Sequence, residues 1–478
     1  MKKSVGRNAI LNVVRQVSTI VFSVISFPYI SRVIQPDNYG KISFSTTFVS
    51  YFSLIAAMGI SNYAIREGAK IRDDKGRLNK FVNEIFTINI ISTIFAYFLL
   101  LITLFLWWQG LKIYFLLIFI QSLLIFVTTI GVEWVYGIYE DYYYITVRNV
   151  VVQLISIVLI FLLIRSRNDY IMYAVILLVA SGGGYIFNFV HVSKYVTLKI
   201  VKKINLRKHL KPILFLFASS LLISIYVSSD ITLLGVFGTN KEVGVYTVSV
   251  KIYTIMKQFL NAVVAVILPS ASHLIGNKLF KKYNILLDNI LQTIIFFAIP
   301  LTALLIVNSK NIILLISGTD YLSGVMALRI LSLATVPSLI ASFFVTTVLL
   351  PYNKEEKIFI ITIASAIFNV LLNLFMIPIW GINGAAFTTF MAETLVAFFS
   401  VIYSRRLITI KLVSLSTLQV ITGSFIVGFI CYVTNLFNLY YLYSLILSST
   451  ISICVYLIIM KILRNSVFHA ILKKIKGE

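Results

Sequence analysis

Apolar runs of about twenty residues recur from one end of this chain to the other, and few folds can absorb them. A run of that length is what a helix needs to cross a hydrocarbon core of about 30 Å. Inside that core no water completes the backbone hydrogen bonds, so a crossing segment is a helix or a strand of a closed barrel. Barrel strands are about 10 residues long and alternate in character; these runs are longer and continuously apolar. Charged residues make up 12% of the chain and hydrophobic ones 59%, against roughly 25% charged in soluble domains. The fold class is therefore an all-α polytopic membrane protein.

Fourteen spans are expected, near 10–33, 42–65, 81–107, 112–137, 143–164, 170–193, 213–237, 243–267, 284–308, 322–347, 357–379, 382–404, 413–435 and 440–462. They group into a six-helix bundle over 1–193, a basic linker over 194–212 and a second six-helix bundle over 213–411. Two additional helices over 412–463 and a basic tail over 464–478 follow. The first run lacks a small-residue cleavage site, so it reads as a retained helix rather than a signal peptide.

A net charge of +24 would suggest nucleic acid in a soluble protein. Here the basic residues lie between apolar spans. With charges at span edges counted in the adjoining loop, Arg148 among them, thirty of the 41 Lys and Arg fall in one alternate set of loops and seven in the other, leaving Arg15, Lys251, Lys257 and Arg329. That asymmetry places both termini and the 194–212 linker on the cytoplasmic side. The linker alone carries Lys194, Lys199, Lys202, Lys203, Arg207, Lys208 and Lys211. Membrane lipids with anionic headgroups are its expected partner, and no nucleic acid is. Cys431 and Cys454 lie within spans and read as packing residues rather than a disulfide or metal site.

The two bundles repeat one another. Arg32-Val-Ile-Gln-Pro-Asp-Asn-Tyr-Gly40 follows span one, and Val236-Phe-Gly-Thr-Asn-Lys-Glu-Val-Gly244 follows span seven. Setting Gly40 on Gly244 also sets Ser45 on Ser249. Trp134-Val-Tyr-Gly137 after span four likewise matches Leu350-Pro-Tyr-Asn353 after span ten. Each half has an even number of spans, so the repeat is parallel, about an axis along the membrane normal.

An ionisable side chain in hydrocarbon costs at least a few kcal/mol unless it faces protein or water, so the few that occur are informative. The N-terminal half holds Arg15, Glu133 and Arg148, all toward the cytoplasmic end of their spans. The C-terminal half holds Asp230, Lys251 and Arg329 in the outer half of the bilayer, with Lys257 and Glu393 nearer its middle. Two readings stand side by side. The structural one pairs Glu133 with Arg148 or Arg15, and Asp230 with Lys251 or Arg329. The functional one notes that cations outnumber acids at mid-depth, which implies a water-filled cavity attracting an anion; diphosphate fits, because Arg binds it bidentately. Asn149, Asn369 and Asn373 read as interhelical hydrogen-bonding groups, and Gly182-Gly183-Gly184 as a close helix contact. No P-loop lysine motif occurs. His191, His209, His273 and His469 all lie at cytoplasmic edges and read as interfacial rather than catalytic.

These features resemble the Wzx-type polysaccharide flippases, which share a superfamily with the MATE drug exporters and the lipid II flippase. The residues carrying the resemblance are Tyr39-Gly40, the segment Gly131–Glu140 with Arg148-Asn149, and Leu350-Pro-Tyr-Asn-Lys354. They continue with Asn369, Asn373, Ile377-Pro378, Gly381–Ala386 and Glu393. The resemblance implies two six-helix bundles around a central cavity that flips an undecaprenyl-diphosphate-linked oligosaccharide repeat unit by alternating access. It also implies a bacterial cytoplasmic membrane, surface polysaccharide (O-antigen or capsule) as the product, and polymerase and glycosyltransferases as partners. On this expectation Lys251, Lys257, Arg329, Arg15 and Arg148 attract the diphosphate. Asp230, Glu393 and Glu133 are structural or ion-coupling acids; the coupling ion would be H+ or Na+, and no cofactor is expected. Arg15 and Glu133 lie nearer the cytoplasmic edge than a midplane site would want. The alternatives are a MATE-like cation-coupled drug exporter, a lipid II flippase and a membrane polymerase. The last would want a large polar external loop, and the external loops here are short.

Overall fold

The computed structural model describes residues 5–265, 268–410, 414–437 and 439–476. The described residues are overwhelmingly helical. The first helix, α1 (Val5–Ala57), bends at Gln35, whose φ of 65° precedes Pro36; proline supplies no N–H, so the ladder opens there. Next come α2 (Ile60–Ala69) and α3 (Lys75–Leu106), the latter capped by Asp74, which accepts from the Arg77 amide. The short α4 (Trp108–Leu111) leads into α5 (Phe115–Gly131), α6 (Glu133–Ile138), α7 (Tyr142–Leu163) and α8 (Tyr170–His191). After the linker follow α9 (Leu206–Phe237), α10 (Asn240–Ala265), α11 (Leu268–Gly276), α12 (Phe280–Ile316) and α13 (Val325–Phe344). Then α14 (Glu355–Ser404) bends at Gly381, where φ is 54° and ψ −130°. Last are α15 (Leu415–Leu436), α16 (Tyr441–Ile462) and α17 (Ser466–Lys476).

Eleven described helices are long and apolar enough to cross a membrane. With 53 residues, α1 is ~80 Å long at 1.5 Å per residue, more than twice the hydrocarbon thickness. Fourteen crossings require α1–α2 and the 50-residue α14 each to cross twice, and α10 to cross as well. Helix α10, described as far as Ala265, is not among the eleven.

Contacts divide the chain into two units, and the division falls near 235–245 rather than at the basic linker. The N-terminal unit runs to Gly235 and takes in Thr239–Gly244; the C-terminal unit holds Val236–Gly238 and everything from Val245. The helix expected to open the second bundle, α9, therefore groups with the first. Its Gly235 lies so close to Phe44 that a Cβ would stand 2.1 Å from the ring, and its Thr232 meets the Tyr51 hydroxyl at 2.9 Å.

In the N-terminal unit, Leu78, Val82, Ile85, Val135, Tyr136 and Ile213 share one buried core. The linker is strapped across it. Amides of Thr197, Lys199 and Val201 donate to Asn79 Oδ1, Asn83 Oδ1 and Thr87 Oγ1 at 2.9, 2.8 and 3.0 Å. The match is metrical: four helical residues rise ~6 Å and two extended residues ~6.6 Å. Tyr195 donates to Asp141 at 2.5 Å; burial first, then that carboxylate, pushes its hydroxyl upward. His209, expected at an interface, is instead fully buried between Tyr63 and Glu84, 2.8 Å from each.

In the C-terminal unit, α15 and α16 pack on α12 through a polar ladder. Asn308 bonds Cys431 and Asn435, and Ser444, Ser448 and Ser452, each four apart, close the ladder from α16. Small polar residues at that spacing let helices approach closely in lipid. Cys431 is packed as expected, but Cys454 is exposed on α16.

Candidate functional site

Two intramembrane charge clusters form, one in each unit. The first begins at the break between α5 and α6. Val132 takes a left-handed φ of 35°, and Gly131 lies against Tyr185, where a Cβ would stand 2.4 Å from the tyrosine Cβ. This break turns Glu133 toward two guanidinium groups. Its Oε1 accepts from Arg15 Nη1 at 3.2 Å and its Oε2 from Arg148 Nη2 at 2.7 Å.

The two arginines are held differently. Arg148 is 6% exposed, also donates to Asn149 Oδ1 at 2.7 Å, and lies 5.4 Å from the centre of the Tyr185 ring. A side chain at Gly184 would put its Cβ 2.6 Å from Arg148 Nε, so the glycine leaves room for the guanidinium. Arg148 Nη1 is buried and finds no acceptor among the described residues. Among the described residues Arg15 has one longer contact to an acid, and it is 31% exposed. One carboxylate thus serves two cations, and the cluster carries a net positive charge.

The second cluster lies between α10 and α14. Lys257 Nζ meets Glu393 Oε1 at 2.5 Å, and the Tyr253 hydroxyl donates to the same oxygen at 3.4 Å. Lys257 also lies 5.7 Å from the centre of the Tyr253 ring. Glu393 is 8% exposed and Lys257 26%, so the carboxylate is buried and the ammonium half-buried. Lys251, less than two turns earlier on α10, is half-buried and forms no ion pair among the described residues. Arg329 on α13 is exposed and donates to the Ile306 carbonyl at 3.2 Å. On α14, Asn373 donates to Asn369 at 3.1 Å and accepts from Thr388 across the Gly381 bend.

Several expectations change. Glu133 pairs with both arginines rather than with one. Lys257 is neutralised by Glu393, so it is not part of a free cation surplus, and Glu393 is not an open acid. Asp230 is buried on α9, in the N-terminal unit. Tyr185, Tyr253 and the seat at Gly184 were not legible as site residues. The triple glycine did signal close helix contacts: Gly182 lies against Leu124 of α5 and Gly184 against the Arg148 guanidinium of α7.

Comparison with known proteins follows the same line. A model for the family described as "Polysaccharide biosynthesis protein" matches residues 5–275, which is 271 of the 478. A protein of Escherichia coli (strain K12) named "Putative O-antigen transporter" is 23% identical over 412 residues, covering 85% of this chain and 98% of that one. Among solved structures, the lipid II flippase MurJ in an inward closed conformation aligns with a TM-score of 0.71 at 17% identity, over 98% of this chain and 99% of the other. An inward-facing MATE family multidrug resistance transporter of the MOP superfamily aligns with a TM-score of 0.61 at 15% identity, over 82% and 97%. These likenesses are of fold.

Proposed function

The chain belongs to the polysaccharide biosynthesis protein family, and on that premise we propose that it flips undecaprenyl-diphosphate-linked oligosaccharide repeat units from the cytoplasmic to the outer leaflet of a bacterial membrane. The observation that carries the reading is the Arg15–Glu133–Arg148 cluster. Two guanidiniums share one carboxylate, and a buried Arg148 nitrogen is left without an acceptor among the described residues. Buried charge of this kind is costly in a membrane unless an anion or water visits it, and a diphosphate offers the bidentate oxygens that arginine binds.

The mechanism is alternating access. The glycan crosses shielded from hydrocarbon while the polyprenyl chain stays in lipid. Arg15 and Arg148 attract the diphosphate in the N-terminal unit, and Lys251 and Arg329 supply positive charge in the C-terminal unit. Glu393 is where a coupling ion acts: H+ or Na+ on its carboxylate weakens its hold on Lys257 and releases a further cation. Both termini face the cytoplasm, and glycosyltransferases and a polymerase act before and after this step.

The test is charge reversal at Arg15 and at Lys251, read as surface polysaccharide in cells that retain the protein in the membrane. Loss of polysaccharide is expected. Undiminished polysaccharide, with altered drug susceptibility in its place, would move the chain to the drug-exporter class.

A further inference from the structure

An open groove of about 390 Å³ runs between α1 and α7, within the N-terminal unit. Its size falls in the ~300–1,000 Å³ range of ligand sites. Val14, Val17 and Val21 form one wall, Val150 and Leu154 the other, and the lining is almost wholly apolar. Two hydrogen bonds hold the helices side by side: Thr146 Oγ1 to the Leu11 carbonyl at 3.1 Å, and Gln153 Nε2 to Thr19 Oγ1 at 3.0 Å. The groove's shape is therefore set by the helices themselves.

Two arginines stand near the start of the groove by chain position, though neither is among its lining residues. Arg15 follows Val14 in the chain, and Arg148 lies two residues before Val150. From that level the groove follows both helices C-terminally for about two turns. Arg148 is locked by Glu133, Asn149 and the Gly184 seat, whereas Arg15 keeps 31% of its side chain exposed and one 3.2 Å contact. Arg15 is thus the guanidinium that can leave Glu133 for another anion.

We propose that this groove seats the isoprene units of the substrate's polyprenyl chain nearest the diphosphate, with Arg15 on the phosphate that joins them; this rests on the flipping reading above. The chemistry separates a prenyl diphosphate from a phospholipid. In a prenyl diphosphate the phosphate oxygen is attached directly to hydrocarbon. In a phospholipid a glycerol with two ester groups intervenes, and two chains follow. The groove's lining is almost wholly apolar and reaches the chain neighbour of Arg15, Val14. Its polar lining side chains, Ser18 and Gln153, already donate to the Arg15 carbonyl and to Thr19, so ester oxygens buried there would go unpaired, which is unfavourable.

The experiment places a benzophenone amino acid at Val17, at Leu154, or at Ile94, a lipid-exposed control on α3. The full chain is reconstituted in phosphatidylethanolamine–phosphatidylglycerol vesicles with radiolabelled undecaprenyl diphosphate. Labelling at Val17 and Leu154 should saturate and be displaced by unlabelled undecaprenyl diphosphate but not by phosphatidic acid. Labelling at Ile94 should stay low and linear. Arg15→Gln should weaken the saturable labelling about tenfold, the value of one charge-assisted hydrogen bond. Non-saturable labelling at all three positions, or equal displacement by phosphatidic acid, overturns the proposal. Deleting the gene tests the flipping reading separately. If surface polysaccharide is lost on deletion while labelling is non-saturable, the groove assignment alone falls. If polysaccharide survives deletion, the flipping reading falls, and saturable labelling still supports a prenyl-binding groove.

Discussion

Gly40 and Gly244 meet reciprocally. A Cβ on Gly40 would stand 1.8 Å from the Asn240 carbonyl oxygen, and a Cβ on Gly244 would stand 1.9 Å from that of Pro36. Pro36 precedes Gly40 by four residues and Asn240 precedes Gly244 by four, so each glycine rests on the preceding turn of the other's helix. The two are the same position of the sequence repeat, and the structure brings them together as a local two-fold crossing. Tyr114 fastens it by donating to Asn240 at 2.5 Å.

Backbone-to-backbone contact of this kind leaves no side chain to give way. Gly40→Ala and Gly244→Ala should each destabilise the protein by about 1–3 kcal/mol, the usual cost of overpacking. Gly276→Ala, where a Cβ would meet nothing within 4 Å, should stay within about 0.5 kcal/mol of wild type. Thermal unfolding of the detergent-purified protein, followed by size-exclusion chromatography, reads all three. A crossing that tolerated alanine at both positions would show that these helices separate freely.

The linker gives a second prediction. Three amide bonds to Asn79, Asn83 and Thr87 contribute about 1 kcal/mol each. Replacing all three acceptors by alanine should raise the open fraction of the strap by more than tenfold. Limited trypsin digestion checks it, since Lys199, Lys202 and Lys203 sit on the strap and only the open form fits a protease. The triple variant should be cut much faster there than wild type, and equal cutting would mean that the strap is held by Val196 and Leu198 packing alone.

How far the sequence carried these features depended on what kind of interaction made them. Apolar length dictated helices, and the glycine register exposed the repeat, because both are one-dimensional patterns. The ion pairs were half legible: opposite charges at similar depth named Glu133 with Arg15 and Arg148, but depth alone could not exclude Lys257 with Glu393. The linker read only as a basic segment facing anionic headgroups, since charge counting sees its lysine side chains and not its backbone amides. Asn79, Asn83 and Thr87 recur every fourth residue on α3, and that polar stripe was the signal available. His209 was assigned to the interface because its partners, Tyr63 and Glu84, are distant in sequence.

The N-terminal ion cluster predicts an asymmetry between its arginines. Glu133→Ala leaves Arg148 buried beside an empty site and should cost about 3 kcal/mol. Arg148→Lys should not rescue function, because an ammonium cannot reach Glu133 and Asn149 together while lying over Tyr185. Arg15→Gln should leave stability near wild type, since a single contact by a partly exposed group contributes little, yet should lower surface polysaccharide. Unfolding and polysaccharide measured on the same variants separate the two roles. Equal stability loss at Arg15 and Arg148 would make Arg15 structural.

The pair in the C-terminal unit tests coupling. Glu393 accepts from both Lys257 and Tyr253 in a site that is 8% exposed on the glutamate side. Glu393→Gln keeps the shape and mimics the protonated acid, so Lys257 is held less tightly; Glu393→Ala also removes the packing and leaves the half-buried Lys257 without a counter-charge. The alanine variant should therefore be the less stable of the two, by about 1–2 kcal/mol from the missing side-chain contacts. If ion binding at Glu393 is what frees Lys257, the glutamine variant should flip substrate in vesicles without any H+ or Na+ gradient, at a rate the gradient no longer changes. Lys257→Met should abolish gradient dependence as well, but with flipping reduced, because the cation to be released is gone. A glutamine variant that still responded to the gradient as wild type does would place the coupling acid elsewhere, with Asp230 the next to test.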